Sequence, residues 1–369
     1  MANLRPAAAP PRPIFNVVLA IRNWLLRLAD RLVPAQVAMI DRIGGYYLVA
    51  AIHAAARLGL ADQLVDGPRT PAELASRLGV DEELLGRLVR ALASFGVFEA
   101  TPDGRYRQNR LSATLVEGAP DSMRALSLFA GAPYHLRAWD GFVDVLRTGQ
   151  GGFTRTHGVP LFDYLAKHPE DGASFAGAMV SLTAMDAPAM AAAYDFSALG
   201  RGAKVCDVAG GRGTLLAHIL ARHPHLRGVL FDEAVVVDSA GPLLASYGVK
   251  DRVEVVSGSF FEKIPEACAA YVLKDILHDW NDEKALQILK TVRAAMAPGA
   301  RLLVIEMVVD GARERYFGNL LDLEMLVVMD GGRQRSKEQM RGLFEAAGLR
   351  LARVIPAASP TSIVEAIAT

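Results

Sequence analysis

The run Val205-Cys206-Asp207-Val208-Ala209-Gly210-Gly211-Arg212-Gly213-Thr214 couples an acid to a cluster of glycines where an apolar segment gives way to a helical one. Glycines let a chain turn sharply and admit a ligand close to the backbone, and a helix N-terminus presents free N–H groups. A second acid, Asp232, ends the next apolar run, where a carboxylate can accept both hydroxyls of a ribose. The dinucleotide pattern G-x-G-x-x-G fails, because Gly211 and Gly213 fit but Leu216 holds the third position. An ordinary tight turn between strand and helix stays open as the plainer reading. Farther along, His278 follows one apolar run and Glu306 ends another, Leu302-Leu303-Val304-Ile305-Glu306. An imidazole at the carboxyl edge of a sheet is suited to take a proton from a bound hydroxyl, and a carboxylate one strand over could hold its tautomer and stabilise its cation. The plainer alternatives are a loop histidine satisfied by neighbours, with Asp279 or Asn281 capping the next helix, and a Glu306 paired with a surface arginine. His218, His223 and His225 lie where a helix ends before Pro224 without a matched set of carboxylates, so no metal site is expected.

These residues need a sheet to converge. Strands are predicted at Lys204–Val208, Gly228–Phe231, Val253–Val256, Ala270–Leu273, Arg301–Ile305, Leu349–Val354 and Ser362–Ala366, with helices in the first five gaps. Alternation of this kind gives a right-handed, mostly parallel α/β sheet. The short Pro-containing link between the last two strands predicts an antiparallel pair at the sheet edge. Residues 119–195 read as mostly helical, with Phe129, Tyr134, Trp139, Phe142, Phe153, Phe162, Phe175 and Met179 among them. They join this C-terminal half, residues 196–369, to an N-terminal half at 14–118, and residues 1–13 read as a disordered proline-containing tail.

The N-terminal half is helical from Ile14 to about Leu64, with a break expected at Gly44-Gly45. Thr70, Pro71 and Glu73 form a capping box ahead of a helix ended by Gly79, and Asp81 caps the next. A hairpin through Pro102-Asp103-Gly104 completes a winged helix. Such an element invites a DNA-binding reading, and local charge argues against it. Between Thr70 and Arg110, Arg77, Arg87, Arg90, Arg105, Arg107 and Arg110 are balanced by Glu73, Asp81, Glu82, Glu83, Glu99 and Asp103. The whole chain repeats that balance, 40 basic against 40 acidic residues in 369, so no nucleic-acid partner is expected. Two cysteines, Cys206 and Cys268, build no disulfide framework and fit a reducing cytoplasm. No segment reads as membrane-spanning, because Arg22, Arg27 and Arg31 interrupt the early apolar stretch; protein docking is preferred to a membrane surface for that amphipathic helix.

With those residues in place, the sequence resembles the S-adenosylmethionine-dependent small-molecule O-methyltransferases, the plant caffeic acid/flavonoid and bacterial natural-product enzymes, from about Gly45 to the C-terminus. Tyr271-Val-Leu-Lys-Asp-Ile-Leu-His-Asp-Trp-Asn-Asp282 is close to the family's Lys-x-x-x-His-Asp-Trp pattern, and Gly-Gly-Arg-Gln-Arg-Ser336 matches Gly-Gly-Lys-Glu-Arg-Thr imperfectly. The resemblance implies a class I methyltransferase sheet of seven strands with the last antiparallel, a winged-helix dimerisation domain, and a homodimer. It implies that Asp207, Gly210, Gly211 and Gly213 wrap the methionine part of S-adenosylmethionine and that Asp232 binds its ribose. Ser259 and Phe260 would meet the adenine, Lys274 would line the pocket, and Thr183 stands where a family hydroxyl contacts the cofactor. His278 takes the role of base, with Glu306 and Gln334 at the supporting positions. Phe175, Met179, Met325 and Met329 take the positions that line an aromatic substrate, although methionine and aromatic stripes are more often plain core.

Departures from the family pattern are Ala209 at the first glycine, Ser259 for an acid, Gln334 for a glutamate and Asp330 for a proline. A neutral amide at 334 cannot stabilise imidazolium by charge, so His278 is expected to be a weaker base suited to a more acidic hydroxyl. The implied activity is methylation of a hydroxyl on an aromatic small molecule, with S-adenosylhomocysteine as co-product and no metal. A methyltransferase scaffold reused for decarboxylation or hydroxylation, and a winged-helix regulator, are the alternatives.

Overall fold

The structure, a computed structural model, describes residues 10–119, 121–312 and 316–369. The chain separates into two compact units, one made of Leu26–Arg137 with Leu165–Leu182, the other built on Ala138–Tyr164 and Thr183–Thr369.

Two long helices come first, α1 (Arg12–Leu32) and α2 (Ala35–Leu58). The break falls at Val33-Pro34 rather than at Gly44-Gly45, which lie inside α2. Proline has no N–H and drives the residue before it out of the helical region. Glycine costs a helix only about 1 kcal/mol. The expected tail is shorter than residues 1–13, because Arg12 and Pro13 belong to α1; residues 1–9 lie outside the described residues. Helix α1 buries none of its residues and exposes Ile14, Val17, Val18, Ile21 and Trp24. Next come α3 (Pro71–Leu78) and α4 (Glu82–Ser94). Thr70 and Glu73 form the capping box of α3, and the Asp81 carboxylate caps α4 by accepting the Leu84 N–H. The hairpin is a two-rung ladder, β1 (Glu99–Ala100) with β2 (Tyr106–Arg107). Leu60, Leu74, Leu85, Val89, Leu92 and Phe98 close the core beneath it.

Short helices follow: α5 (Arg124–Ala130), α6 (Pro133–Ala138), α7 (Phe142–Thr148), α8 (Gly152–His157) and α9 (Leu161–Lys167). They lead to the long α10 (Pro169–Ala193). By length and composition α10 would suffice to cross a bilayer. It also carries Asp186, buried in an ionic network described below.

The sheet is formed by β3 (Lys204–Val208), β4 (Arg227–Asp232), β5 (Val253–Ser257), β6 (Ala270–Lys274), β7 (Arg301–Glu306), β8 (Leu349–Pro356) and β9 (Ser362–Ala368). Its spatial order is β5-β4-β3-β6-β7-β9-β8. Only β9 runs against the others, between β7 and the edge strand β8, so the sheet has seven strands with the last antiparallel, as expected. Helix α11 (Thr214–Arg222) fills the first gap, α12 (Ala234–Val237) and α13 (Gly241–Ser246) the second. Helix α14 (Asp282–Ala295) lies between β6 and β7, and α15 (Phe317–Val328) and α16 (Lys337–Ala346) between β7 and β8. The expected helix between β5 and β6 does not form; Gly258 and Pro265 punctuate that link, which runs as turns. Alternate strand residues feed two cores. Cys206, Val208, Phe231, Tyr271 and Leu273 enter one, and Val205, Leu230, Val272, Leu303 and Ile305 the other.

Strand order reverses at β3, whose neighbours β4 and β6 lead to opposite edges of the sheet. Ligands of open α/β sheets bind outside the carboxyl ends of the strands at such a switch point. Asp207 and Lys274 stand on either side of it.

Candidate active site

The turn after β3 uses left-handed backbone at Ala209 (φ +55°), Gly211 (φ +60°) and Gly213 (φ +79°). At Ala209 this region is unfavourable because a Cβ approaches the carbonyl; its N–H donates to the Phe231 carbonyl at 2.7 Å, which holds the strained turn. Gly210 admits no side chain, since a Cβ there would sit 2.6 Å from the Asp207 carboxyl carbon. Asp207 is buried and its Oδ2 has no hydrogen-bond partner. Burial and the nearby charge of Asp232 push its carboxyl up to about 7. Asp232, at the end of β4, accepts the Gly211 N–H at 2.8 Å and the Glu233 N–H at 2.7 Å. Burial raises its pKa above the ordinary carboxylate value.

Across the switch point, Lys274 at the end of β6 buries its ammonium beside Asp275 and 3.9 Å from Asp186. Burial opposes that charge, but the two carboxylates prevail and the lysine pKa is raised. Asp186 in turn accepts the Ser359 hydroxyl at 2.6 Å. Thr183 lies one helical turn before Asp186 on α10 and is half-buried. After β5, Ser259 caps its own turn by accepting the Phe261 N–H at 3.2 Å. Phe260 is half-buried against Phe261 (4.7 Å between centroids) and Trp280 (6.2 Å).

A short 3-10 turn, Leu277–Asp279, follows β6 and buries His278, which is 6 % exposed. The Gln334 amide meets the imidazole, with Nε2–H donating to His278 Nδ1 at 2.6 Å. Burial lowers the His278 pKa from its ordinary value. Glu306 does not contact the imidazole in the expected way. Its Oε1 accepts the His278 backbone N–H at 3.0 Å. Its Oε2 is buried without a partner, and burial pushes its carboxyl up to about 7. Asp279, with Oδ1 3.4 Å from His278 Nε2, is raised well above the usual carboxylate range by burial and by the charge of Glu306. Asn281, not Asp279, caps α14.

Met325 and Met329 are buried at the C-terminal end of α15, and Asp330 accepts the Thr154 hydroxyl at 2.6 Å. Phe175 and Met179 lie on α10 within the other unit, where Phe175 packs edge-on against Phe129 at 5.4 Å. His218 pairs with the Tyr247 hydroxyl at 3.0 Å and burial pushes its pKa down to about 4. Cys206 and Cys268 are buried and free. Among the described residues, no group of three or more potential ligands gathers for a metal. Asp186 and Arg335 were not singled out by the sequence. The first had a signal in its place one turn beyond Thr183, the second in its segment 331–336.

The turn fits a nucleoside cofactor that carries positive charge. A buried carboxylate oxygen lacks a partner, Gly211 faces open space where a Cβ would meet nothing within 4 Å, and a second acid stands beside it. A switch-point site of this kind, with a buried histidine directly after the neighbouring strand, gives a Rossmann-like fold a place for a cationic nucleoside beside a base. The chain belongs to the O-methyltransferase family: residues 139–350 match its O-methyltransferase domain and residues 40–118 its dimerisation domain. It is 40% identical over 334 residues to the phenazine O-methyltransferase PhzM of Lysobacter antibioticus, covering 90% of this chain and 96% of that one. The crystal structure of LaPhzM superposes with a TM-score of 0.87 at 39% identity, over 91% of this chain and all of that one. The O-methyltransferase NcsB1 of neocarzinostatin biosynthesis, solved with S-adenosylmethionine and 2-hydroxy-5-methyl naphthoic acid, gives 0.73 at 33% identity over 87% and 96%. The chain is thus an S-adenosylmethionine-dependent O-methyltransferase.

Proposed function

We propose that this enzyme methylates a ring hydroxyl of an electron-poor aromatic natural product, with His278 as the base. The observation that carries the reading is the buried imidazole four residues beyond Lys274, held at Nδ1 by Gln334 at 2.6 Å. Asp207, Gly210, Gly211, Gly213, Asp232, Ser259, Phe260, Lys274 and Thr183 would hold the cofactor. When bound, S-adenosylmethionine supplies a methyl activated on a sulfonium, so the substrate oxygen displaces a neutral thioether. The protein's part is to exclude water, orient the hydroxyl and receive its proton. His278 Nε2 can take that proton when Nδ1 carries the other hydrogen and Gln334 turns Oε1 toward it. An amide serves in either orientation, unlike a carboxylate. Gln334 is neutral, Glu306 is committed to backbone, and burial outweighs the nearby Asp275 charge, so the His278 pKa lies below its ordinary value and the imidazolium is disfavoured. A phenol with a pKa near 10 would give up its proton to such a base reluctantly, and a hydroxyl acidified by a carbonyl, quinone or ring nitrogen far more readily. Fused aromatic rings, as named for the phenazine enzyme and the naphthoate-bound structure, fit this preference. Met325 and Met329 would line the ring. Exposed apolar residues along α1, and Ile40, Ile43, Tyr46 and Tyr47 on α2 within the dimerisation domain, support a homodimer.

A labelled-methyl assay on phenols, hydroxynaphthoates and hydroxyphenazines, with product mass, tests the reading. A gain of one methyl, fastest on the most acidic hydroxyls, is expected; loss of carboxyl or gain of oxygen would replace it. His278→Ala should lower kcat by about 100-fold or more while S-adenosylmethionine still binds by calorimetry. An unchanged rate would remove His278 as base.

A further inference from the structure

Arg335 is the largest fully buried side chain among the described residues, at 0 % exposure. A buried guanidinium is costly unless all its donors are used. Here Nη1 donates to the Leu277 carbonyl at 2.6 Å, Nη2 to the Trp280 carbonyl at 2.7 Å, and Nε to Asp282 Oδ1 at 2.9 Å. Those acceptors bracket His278 on both sides. The backbone continues the same contact: the Arg333 N–H donates to the His278 carbonyl at 2.8 Å. Gly332 permits that approach, since a Cβ there would stand 2.8 Å from the His278 carbonyl oxygen. From the opposite side Glu306 accepts the His278 N–H.

We propose that Arg335 is a positioning residue which, together with the Glu306 contact, clamps the His278 turn by its backbone, taking the carbonyls on either side of the histidine, so that peptide contacts keep the imidazole in its place. The proposal rests on the methyltransferase reading above only for its kinetic consequence. Neither residue touches a reacting atom. The clamp is electrostatically linked, because the Arg335 charge favours the ionised form of Glu306, while burial, Asp275 and the neighbouring Asp279 oppose it. Removing the cation therefore leaves Glu306 protonated to higher pH and weakens its hold on the His278 N–H.

Two variants separate fork from charge. Arg335→Lys keeps the charge but cannot reach three acceptors; Arg335→Met loses both. The measurements are kcat, the calorimetric Kd for S-adenosylmethionine, and the pH titration of the His278 backbone amide shift in ligand-free protein. That shift senses Glu306 through the N–H it accepts, together with the neighbouring Asp279 carboxyl and the His278 ring. The expected result is a kcat reduced about tenfold or more in Arg335→Lys and about 100-fold in Arg335→Met, with Kd within about threefold of wild type in both. The amide midpoint should stay near the wild-type value in the lysine variant and rise by at least about half a unit in the methionine variant. Rates within about threefold of wild type in both variants, or a midpoint unmoved in Arg335→Met, would overturn the clamp. So would a Kd that weakens in step with kcat. If Arg335→Met does not fold, the rate and Kd of Arg335→Lys decide. If wild type methylates nothing in the panel, the functional reading fails and the amide titration alone decides the clamp.

Discussion

The two ends of the crevice, a few residues apart along β3 and β6, are built on opposite terms. At the cofactor end, Asp207 Oδ2 is unpartnered, Ala209 is held in left-handed backbone and Gly211 opens onto free space. At the base end, the peptide groups around His278 are taken up by Glu306, Arg333 and Arg335, and a glycine permits backbone to touch backbone. A site that must fill and empty every turnover leaves polar atoms waiting for the ligand. A group that must be in place before the reaction is fixed in advance by contacts that do not change. The contrast yields variants that disturb one end and spare the other.

At the cofactor end the largest expected effect is at Asp207. In Asp207→Asn the Kd for S-adenosylmethionine should weaken by about 30-fold, roughly 2 kcal/mol for a charge-assisted contact, with the His278 amide titration unchanged. The same variant has a signature in the ligand-free protein. The folded carboxyl ionises at about 7 against an unfolded value of 3.8. Wild-type stability therefore falls as pH rises from about 4 to 7, where the unfolded chain has already given up its proton. Asparagine does not titrate, so Asp207→Asn should melt higher than wild type at pH 8 and no higher at pH 4. Equal melting at both values would show that Asp207 already has a partner.

A smaller effect is expected from Gln334→Glu, which puts charge beside the ring and leaves the cofactor end alone. A carboxylate at Nδ1 raises the His278 pKa. Since the base works in its neutral form, the acid limb of the kcat profile should move to higher pH. In return, ordinary phenols should be methylated several-fold faster above that limb while acidic hydroxyls change little. An equal gain on both substrate types would separate rate from hydroxyl acidity.

Much of this arrangement was legible in the sequence. Strands Lys204–Val208 and Ala270–Lys274 begin where apolar runs predict them, because a buried parallel strand must be apolar on both faces. The acid–glycine turn and His278 were legible because their chemistry demands particular residue types at a strand end. Arg335 was not. An arginine in a polar segment has no period, and its partners at Leu277, Trp280 and Asp282 are far away in sequence. The contact of Glu306 was misread for a related reason. Strand order placed it near His278, but whether it meets ring or peptide depends on the 3-10 turn, which no pattern announces. Gly44-Gly45 misled through propensity, since the long helix α2 tolerates two glycines and the break falls before it, at Val33-Pro34.

The smallest effect is at Ala209 and tests whether the cofactor end is strained for a reason. Left-handed backbone costs a residue with a Cβ roughly 1–2 kcal/mol, whereas glycine adopts it freely but loses about 0.5–1 kcal/mol of unfolded-chain entropy. Ala209→Gly should therefore stabilise the ligand-free protein by less than about 1 kcal/mol, a Tm rise of about 1–3 °C. The methyl also restricts where the turn can move, and glycine releases it. If the strain pre-sets the turn for its ligand, the more stable variant should bind S-adenosylmethionine a few-fold more weakly, with the His278 amide titration unaltered. If affinity rises together with Tm, the strain serves no purpose in binding, and the alanine is simply a burden that the Phe231 carbonyl contact holds in place.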